Sequence, residues 1–154
     1  MNMKKVAVIV GSETDKEQMS RAFEIFEKFG VEYEFKALSA HRDPDALRAF
    51  VDSLSAEEYA AVIAGAGMAA ALPGCVAAHT LLPVIGVPMK GGALNGVDAL
   101  YSIVQMPKGV PVGCMAIGAS GAVNAALYAI RMMALTDSDA REKLEKHRDA
   151  LKTA

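Results

Sequence analysis

The chain has 154 residues with 16 basic and 18 acidic side chains, so it is close to neutral and has no basic patch. That length supports one hydrophobic core and not two, and the charge balance argues against a nucleic-acid partner. Apolar residues make up 53% of the chain but aromatics only 6%; helices rich in alanine, valine, methionine and leucine on several faces must bury several faces, which predicts contacts between copies.

Residues 6–10 are the only apolar stretch near the start, too short for a signal-peptide core or a membrane span, so the chain is expected in the cytoplasm and off the membrane. The first strand is expected over residues 5–10, followed by Gly11-Ser12-Glu13-Thr14-Asp15. A helix capped by Asp15 then carries Met19, Ala22, Phe23, Phe26 and Phe29 at three- and four-residue spacing and stops at Gly30. A second strand over 33–38 runs into Ser39-Ala40-His41-Arg42-Asp43-Pro44. There Asp43 caps a helix with Pro44 in its first turn and Ala46, Leu47, Phe50, Val51 and Leu54 inward.

The third strand, 60–64, ends in Gly65-Ala66-Gly67 and precedes a small-residue helix over 68–78, restarted at Pro73. A fourth strand over 83–87 leads to a glycine-rich loop, 90–96, and a helix over 97–105. A fifth strand is expected over 110–117 and a small-residue helix over 121–135. A charged helix over 137–152 follows, with Leu144 and Leu151 one heptad apart. This alternation predicts an α/β protein, a three-layer α/β/α sandwich around a parallel sheet with right-handed crossovers. It is read as a single domain over 1–154, with a core over 1–135 and a peripheral terminal helix over 136–154.

In such a sheet the loops after the strands converge on its carboxyl edge, where ligands bind. Gly11 to Asp15 leads into a helix N-terminus, whose free amides attract phosphate; Ser12 and Thr14 add hydroxyls, and Asp15 either caps the helix or holds a ribose diol. In residues 39–42 a histidine that titrates near working pH adjoins an arginine that forks onto phosphate, a pairing suited to acid/base chemistry on a phosphorylated substrate.

Gly65-Ala66-Gly67-Met68-Ala69-Ala70 fits a G-x-G-x-x-A dinucleotide fingerprint, but no acidic residue follows the next strand to hold a ribose. Its glycines are read instead as letting the backbone approach a ligand. A phosphate-receiver module would need an aspartate ending the third strand, where Ala64 stands. His79, near a helix end, and His147 are read as structural, and 102–111 as a proline turn. Cys75 and Cys114 have no partner at ligand spacing, so both are expected as buried reduced thiols and no metal is implied.

Taken together, residues 11–15, 39–44, 65–74, 82–88, 102–112 and 116–127 resemble, in order, the GSxSD, SAHRTP, AGAGGAAHLPG, LPVIGVP, SIVQMPxGVPV and AIGxAGAxNAAL patterns of the PurE family of purine biosynthesis. The resemblance implies a flavodoxin-like sheet, a homo-octamer and no cofactor. It also implies an isomerase that moves a carboxylate from the exocyclic nitrogen of N5-carboxyaminoimidazole ribonucleotide to ring carbon C4. Related enzymes that take carbon dioxide and aminoimidazole ribonucleotide directly are the alternative. By resemblance His41 is the general acid/base. Ser39 and Arg42, with Ser12 and Thr14, hold the phosphate, Asp15 the ribose, and Ala66 and Gly67 the ring and carboxylate; Ala40, Met68 and Leu72 complete the substrate-binding set. The chain departs from the patterns at Thr14 and Asp43, which keep a hydroxyl and a cap. It also carries Met68 in place of a glycine and Ala71 in place of a histidine. Met68 is expected to bring apolar bulk beside the volume that ring would fill, with amides near Gly67 and Ala70 compensating for its polar contact.

Overall fold

A computed structural model describes residues 3–152. Five parallel strands, β1 (Lys5–Val10), β2 (Tyr33–Ala37), β3 (Tyr59–Ala66), β4 (Val84–Pro88) and β5 (Gly113–Cys114), stand in the order β2-β1-β3-β4-β5. This is the flavodoxin-like order, in which the strand sequence reverses between β1 and β3 and opens a crevice at their carboxyl ends. The helices between them are α1 (Lys16–Phe29), α2 (Pro44–Asp52), α3 (Leu72–Ala77), α4 (Val97–Val104) and α5 (Ala119–Met133), with α6 (Ser138–Leu151) last.

Strand pleating sorts the core into two layers. Val6, Val8 and Val10 face one side with Met19, Phe23 and Phe26 of α1 and the alanines of α5, while Ala7 and Ile9 face the other with Leu47, Val51, Val76 and Ile103. The aromatic stripe of α1 is buried as its spacing predicts, and Gly30 ends the helix in the left-handed region at φ 67°. Asp43 accepts the Ala46 amide at 3.2 Å and so caps α2.

Three expectations need correction, and the reading of the alanine excess is narrowed. The fifth strand pairs at only two residues, because Pro111 has no amide to donate and the segment lies at the sheet's edge; only single bonds from Met115 to Gly86 (2.9 Å) and Gly118 to Pro88 (2.8 Å) prolong it. No helix starts at Met68. Residues 67–70 form a turn closed by the Ala70 amide on the Gly67 carbonyl (3.0 Å), with Met68 at φ 54° and Ala70 at φ 33°, so α3 begins at Leu72. Cys75 is exposed and Cys114 only half-buried, both as free thiols; α3 turns Leu72, Pro73 and Val76 inward and leaves Cys75 outside. Part of the alanine excess is internal: Ala122, Ala125, Ala126 and Ala129 are fully buried in the layer that holds α1.

The charged α6 docks on the end of α1 through buried Ala140, a Lys143 Nζ bond to the Phe29 carbonyl (2.9 Å) and the His147 ring edge-on to Phe29 at 5.5 Å. Burial and the nearby Lys28 and Arg131 hold the His147 imidazole below its usual range. Leu144 packs against the core but Leu151 stays exposed, so the heptad pair does not act as one seam. Residues 153 and 154 of the expected terminal segment lie outside the described residues.

Candidate functional site

The loops after β1, β2, β3 and β4 enclose a cleft of about 520 Å³ at the carboxyl edge of the sheet. Ser12, Thr14, Asp15, Ser39, Ala40, His41 and Arg42 line it together with Ala66, Gly67, Met68 and Leu72, so every residue that the sequence assigned to substrate meets in one place. His79 follows α3, exposed and outside this cleft, and the half-buried His147 of α6 lies outside it too.

The first wall is the loop after β1. Ser12 caps a single 3-10 turn, Glu13–Asp15, its hydroxyl taking the Thr14 amide at 3.4 Å and the Thr14 hydroxyl at 3.0 Å. The expected Asp15 cap is not made. Asp15 is already helical (φ −78°) and its side chain bonds no amide of α1, because Ser12 has started the turn one step earlier. The carboxylate is left half-buried without a cation among the described residues, and burial pushes its pKa up, partly offset by a main-chain contact with Ser12.

The second wall is the turn after β2. The Ser39 hydroxyl accepts the Arg42 amide (3.2 Å) and its carbonyl accepts the Asp43 amide (3.0 Å), a local turn that raises residues 40–42 above the sheet. One guanidinium nitrogen of Arg42 donates to the Gly11 carbonyl at 3.0 Å, tying the two walls together. Its other donors face no carboxylate among the described residues. His41 is exposed, and its ring makes no hydrogen bond among the described residues.

Ala66 and Leu72 are buried at the base, and Ala71 presents only a methyl where the family pattern has a ring. Met68 lines the rim but is 62% exposed, with its Cγ beside Gly92. It covers the loop after β4 and does not fill the base, contrary to expectation. The Ala70 amide is also spent within its own turn, so it is not available to compensate for the missing ring.

Sequence reasoning missed Gln18 and Lys90. Gln18 Nε2 donates to the Lys90 carbonyl (3.0 Å) and its Oε1 accepts the Lys90 amide (2.9 Å), a two-bond clamp from the first turn of α1 onto the loop after β4. No short motif encodes a contact across 72 positions. The visible signal was only a lysine opening a glycine-rich loop at the correct edge of the sheet.

Residues 5–154 match the family model described as AIR carboxylase. The chain belongs to this family. It is 50% identical over 97% of its length to the N5-carboxyaminoimidazole ribonucleotide mutase of Escherichia coli K12, covering 88% of that protein. It is 48% identical to the mutase of Bacillus subtilis (96% of this chain, 91% of that one) and 46% to that of Pyrococcus abyssi (99% and 86%). The crystal structure of Treponema denticola PurE, 24% identical, superposes with a TM-score of 0.87 over 97% of this chain and 92% of that one, which establishes a shared fold. Within the family, position 68 acquires a physical meaning: a backbone at φ 54° suits the glycine of the AGAGG pattern, and here methionine holds it. Among the described residues no three His, Cys, Asp or Glu side chains cluster as a metal would require, and no helix is long and apolar enough to cross a membrane.

Proposed function

We propose that the protein is an isomerase of purine biosynthesis that converts N5-carboxyaminoimidazole ribonucleotide to 4-carboxy-5-aminoimidazole ribonucleotide. One observation carries the reading: in a chain half identical to such mutases, a histidine without a hydrogen-bond partner among the described residues, an arginine and paired hydroxyls face one cleft at the sheet's switch point. Arg42, Ser39, Ser12 and Thr14 bind the phosphate, Asp15 the ribose hydroxyls, and Ala66, Gly67, Met68, Leu72 and Ala40 surround the ring. The carbon–nitrogen bond of the N-carboxylate breaks, releasing carbon dioxide, and the exocyclic nitrogen receives a proton. C4 then attacks carbon dioxide, and the C4 proton departs to restore the aromatic ring. His41 is the proton carrier for these steps. Holding carbon dioxide beside C4 makes its recapture effectively unimolecular, so positioning supplies most of the rate and one acid/base group suffices.

The apolar side chains that remain exposed, among them Leu81, Leu94, Val97, Tyr101 and Val104, support assembly into a homo-octamer, here placed in the cytoplasm. The deciding experiment incubates the enzyme with the N-carboxylated ribonucleotide, and separately with aminoimidazole ribonucleotide plus labelled bicarbonate. Transfer without early label is expected. Early label incorporation, or no turnover of the N-carboxylated substrate, overturns the isomerase reading; light scattering of the same preparation that gives a monomer overturns the octamer.

A further inference from the structure

A ribonucleotide of this kind brings anionic charge at both ends, a phosphate and a carboxylate, into a cleft that already holds the half-buried carboxylate of Asp15. Burying such charge without partners is costly. The permanent cations lining the cleft are Arg42 and Lys90. Arg42 is bonded to the Gly11 carbonyl and so serves the β1 end, beside Ser12 and Thr14. Lys90 stands beyond the end of β4, two strand spacings away in the order β1-β3-β4, or about 10 Å. A ribose and a five-membered ring fill a gap of that kind, with the phosphate at one side and a ring substituent at the other.

Two features make Lys90 more than a surface lysine. Its main chain is fixed from both sides by Gln18, at 3.0 and 2.9 Å, within a loop whose next residues are Gly91 and Gly92 and which would otherwise wander. Its ammonium, by contrast, has neither an ion pair nor a hydrogen bond among the described residues, while other lysines, such as Lys5, Lys36, Lys143 and Lys146, are paired with carboxylates. A clamped backbone carrying an unengaged charge at the edge of a cleft is organised for an anion that arrives from outside. Ala71, which also lines the cleft, offers no polar side-chain group.

We propose that Lys90, positioned by the Gln18 clamp, is the cation that holds the migrating carboxylate at the end of the cleft opposite Arg42. This rests on the isomerase reading and adds the residue that discriminates carboxylated from uncarboxylated ribonucleotide. An ammonium placed there keeps the released carbon dioxide's oxygens oriented during transfer. It also stabilises the carboxylate equally on nitrogen and on C4, so its loss affects affinity more than the rate of saturated enzyme.

The test is titration calorimetry with two probes, 4-carboxy-5-aminoimidazole ribonucleotide and 5-aminoimidazole ribonucleotide, on the full chain and its variants. Lys90→Met is expected to weaken the carboxylated probe about 10- to 100-fold, the scale of one charge-assisted hydrogen bond, and the uncarboxylated probe by less than about two-fold. Lys90→Arg restores most of the loss. Gln18→Ala produces a smaller loss with the same preference for the carboxylated probe. Arg42→Ala weakens both probes alike. Equal weakening of both probes in Lys90→Met, or none, overturns the proposal alone. Failure of the unaltered protein to bind either probe overturns the functional reading and this proposal with it.

Discussion

The two ends of the sheet treat charge in opposite ways. At the amino end Lys5 lies between Glu58 (3.3 Å) and Glu34 (3.9 Å) with its ammonium 4.5 Å over the Tyr59 ring; Lys36, from further along β2, reaches back to Glu34 at 3.3 Å, and the Tyr59 hydroxyl donates to the same carboxylate. At the carboxyl end Arg42 bonds a carbonyl, Asp15 has no cation, His41 and the Lys90 ammonium have no partner among the described residues, and Met68 and Ala70 sit in left-handed backbone. One carboxylate at each end records the difference. The Tyr59 hydrogen bond, then Lys36 and Lys5, hold Glu34 below its usual range, whereas burial pushes Asp15 above it. Internal pairing at one end stabilises the fold; unmet polar capacity and strain at the other are available to a ligand.

The comparison breaks first at His41. His41→Asn keeps a polar side chain of similar size on an exposed turn, so thermal stability should stay within about 0.5 kcal/mol of the parent. Turnover should fall by about 10²- to 10⁴-fold or more, because the amide carries no proton at neutral pH. Stopped-time assays beside a melting curve decide it. A folded variant with near-parental rate removes His41 from the chemistry.

The next effect is smaller and belongs to the amino end. Tyr59→Phe deletes the donor to Glu34 and should destabilise the fold by about 1 kcal/mol at neutral pH, a modest figure because Glu34 is partly solvated. The depressed Glu34 contributes stability that is present above its unfolded pKa and lost as pH falls through its folded value, so the deficit should close on acidification. Asp15→Asn should behave with the opposite sign. The raised Asp15 penalises the fold once pH has passed its folded value and not at low pH, so the amide should be neutral or stabilising near pH 7 while weakening ribonucleotide binding. Urea titrations across the acid range test both; parallel pH profiles for the two variants would erase the contrast between the ends.

This division was legible in the sequence where physics is local. Apolar periodicity placed β1, β2, α1 and α2 to within a residue or two, and the breaks after the strands placed the loops that form the cleft. Where two local devices compete, spacing does not choose between them. Ser12 starts its turn before Asp15 can cap α1, and the alanines of 69–71, good helix formers, yield to a turn whose Met68 and Ala70 backbones helix propensity disfavours. The fifth strand failed for a related reason: its β-branched residues favour extension, but Pro111 removes the donor that a ladder requires. Gln18 and Lys90 were invisible because the clamp joins segments 72 residues apart, and only the folded sheet brings α1 and the β4 loop together.

The last expected effect is a small one and is the most specific to the carboxyl end. Methionine at φ 54° costs about 1 kcal/mol in backbone strain, and glycine takes that conformation freely but loses more entropy on folding, so Met68→Gly should change stability by less than about 1 kcal/mol, toward the stable side. Little packing opposes this, since the side chain is 62% exposed and its Cγ rests beside Gly92. What the substitution removes is cover between the turn after β3 and the loop after β4. Carbon dioxide released in the cleft should then escape more often, and free aminoimidazole ribonucleotide should accumulate beside the product, a leak that added bicarbonate reverses. Tyr59→Phe, altered at the other end of the sheet, should lose stability and show no leak. A Met68→Gly enzyme that loses more than about 1 kcal/mol would mean that packing, not strain, governs this turn. One that is stable and forms no more aminoimidazole ribonucleotide than the parent would mean that methionine at the rim has no part in retaining the gas.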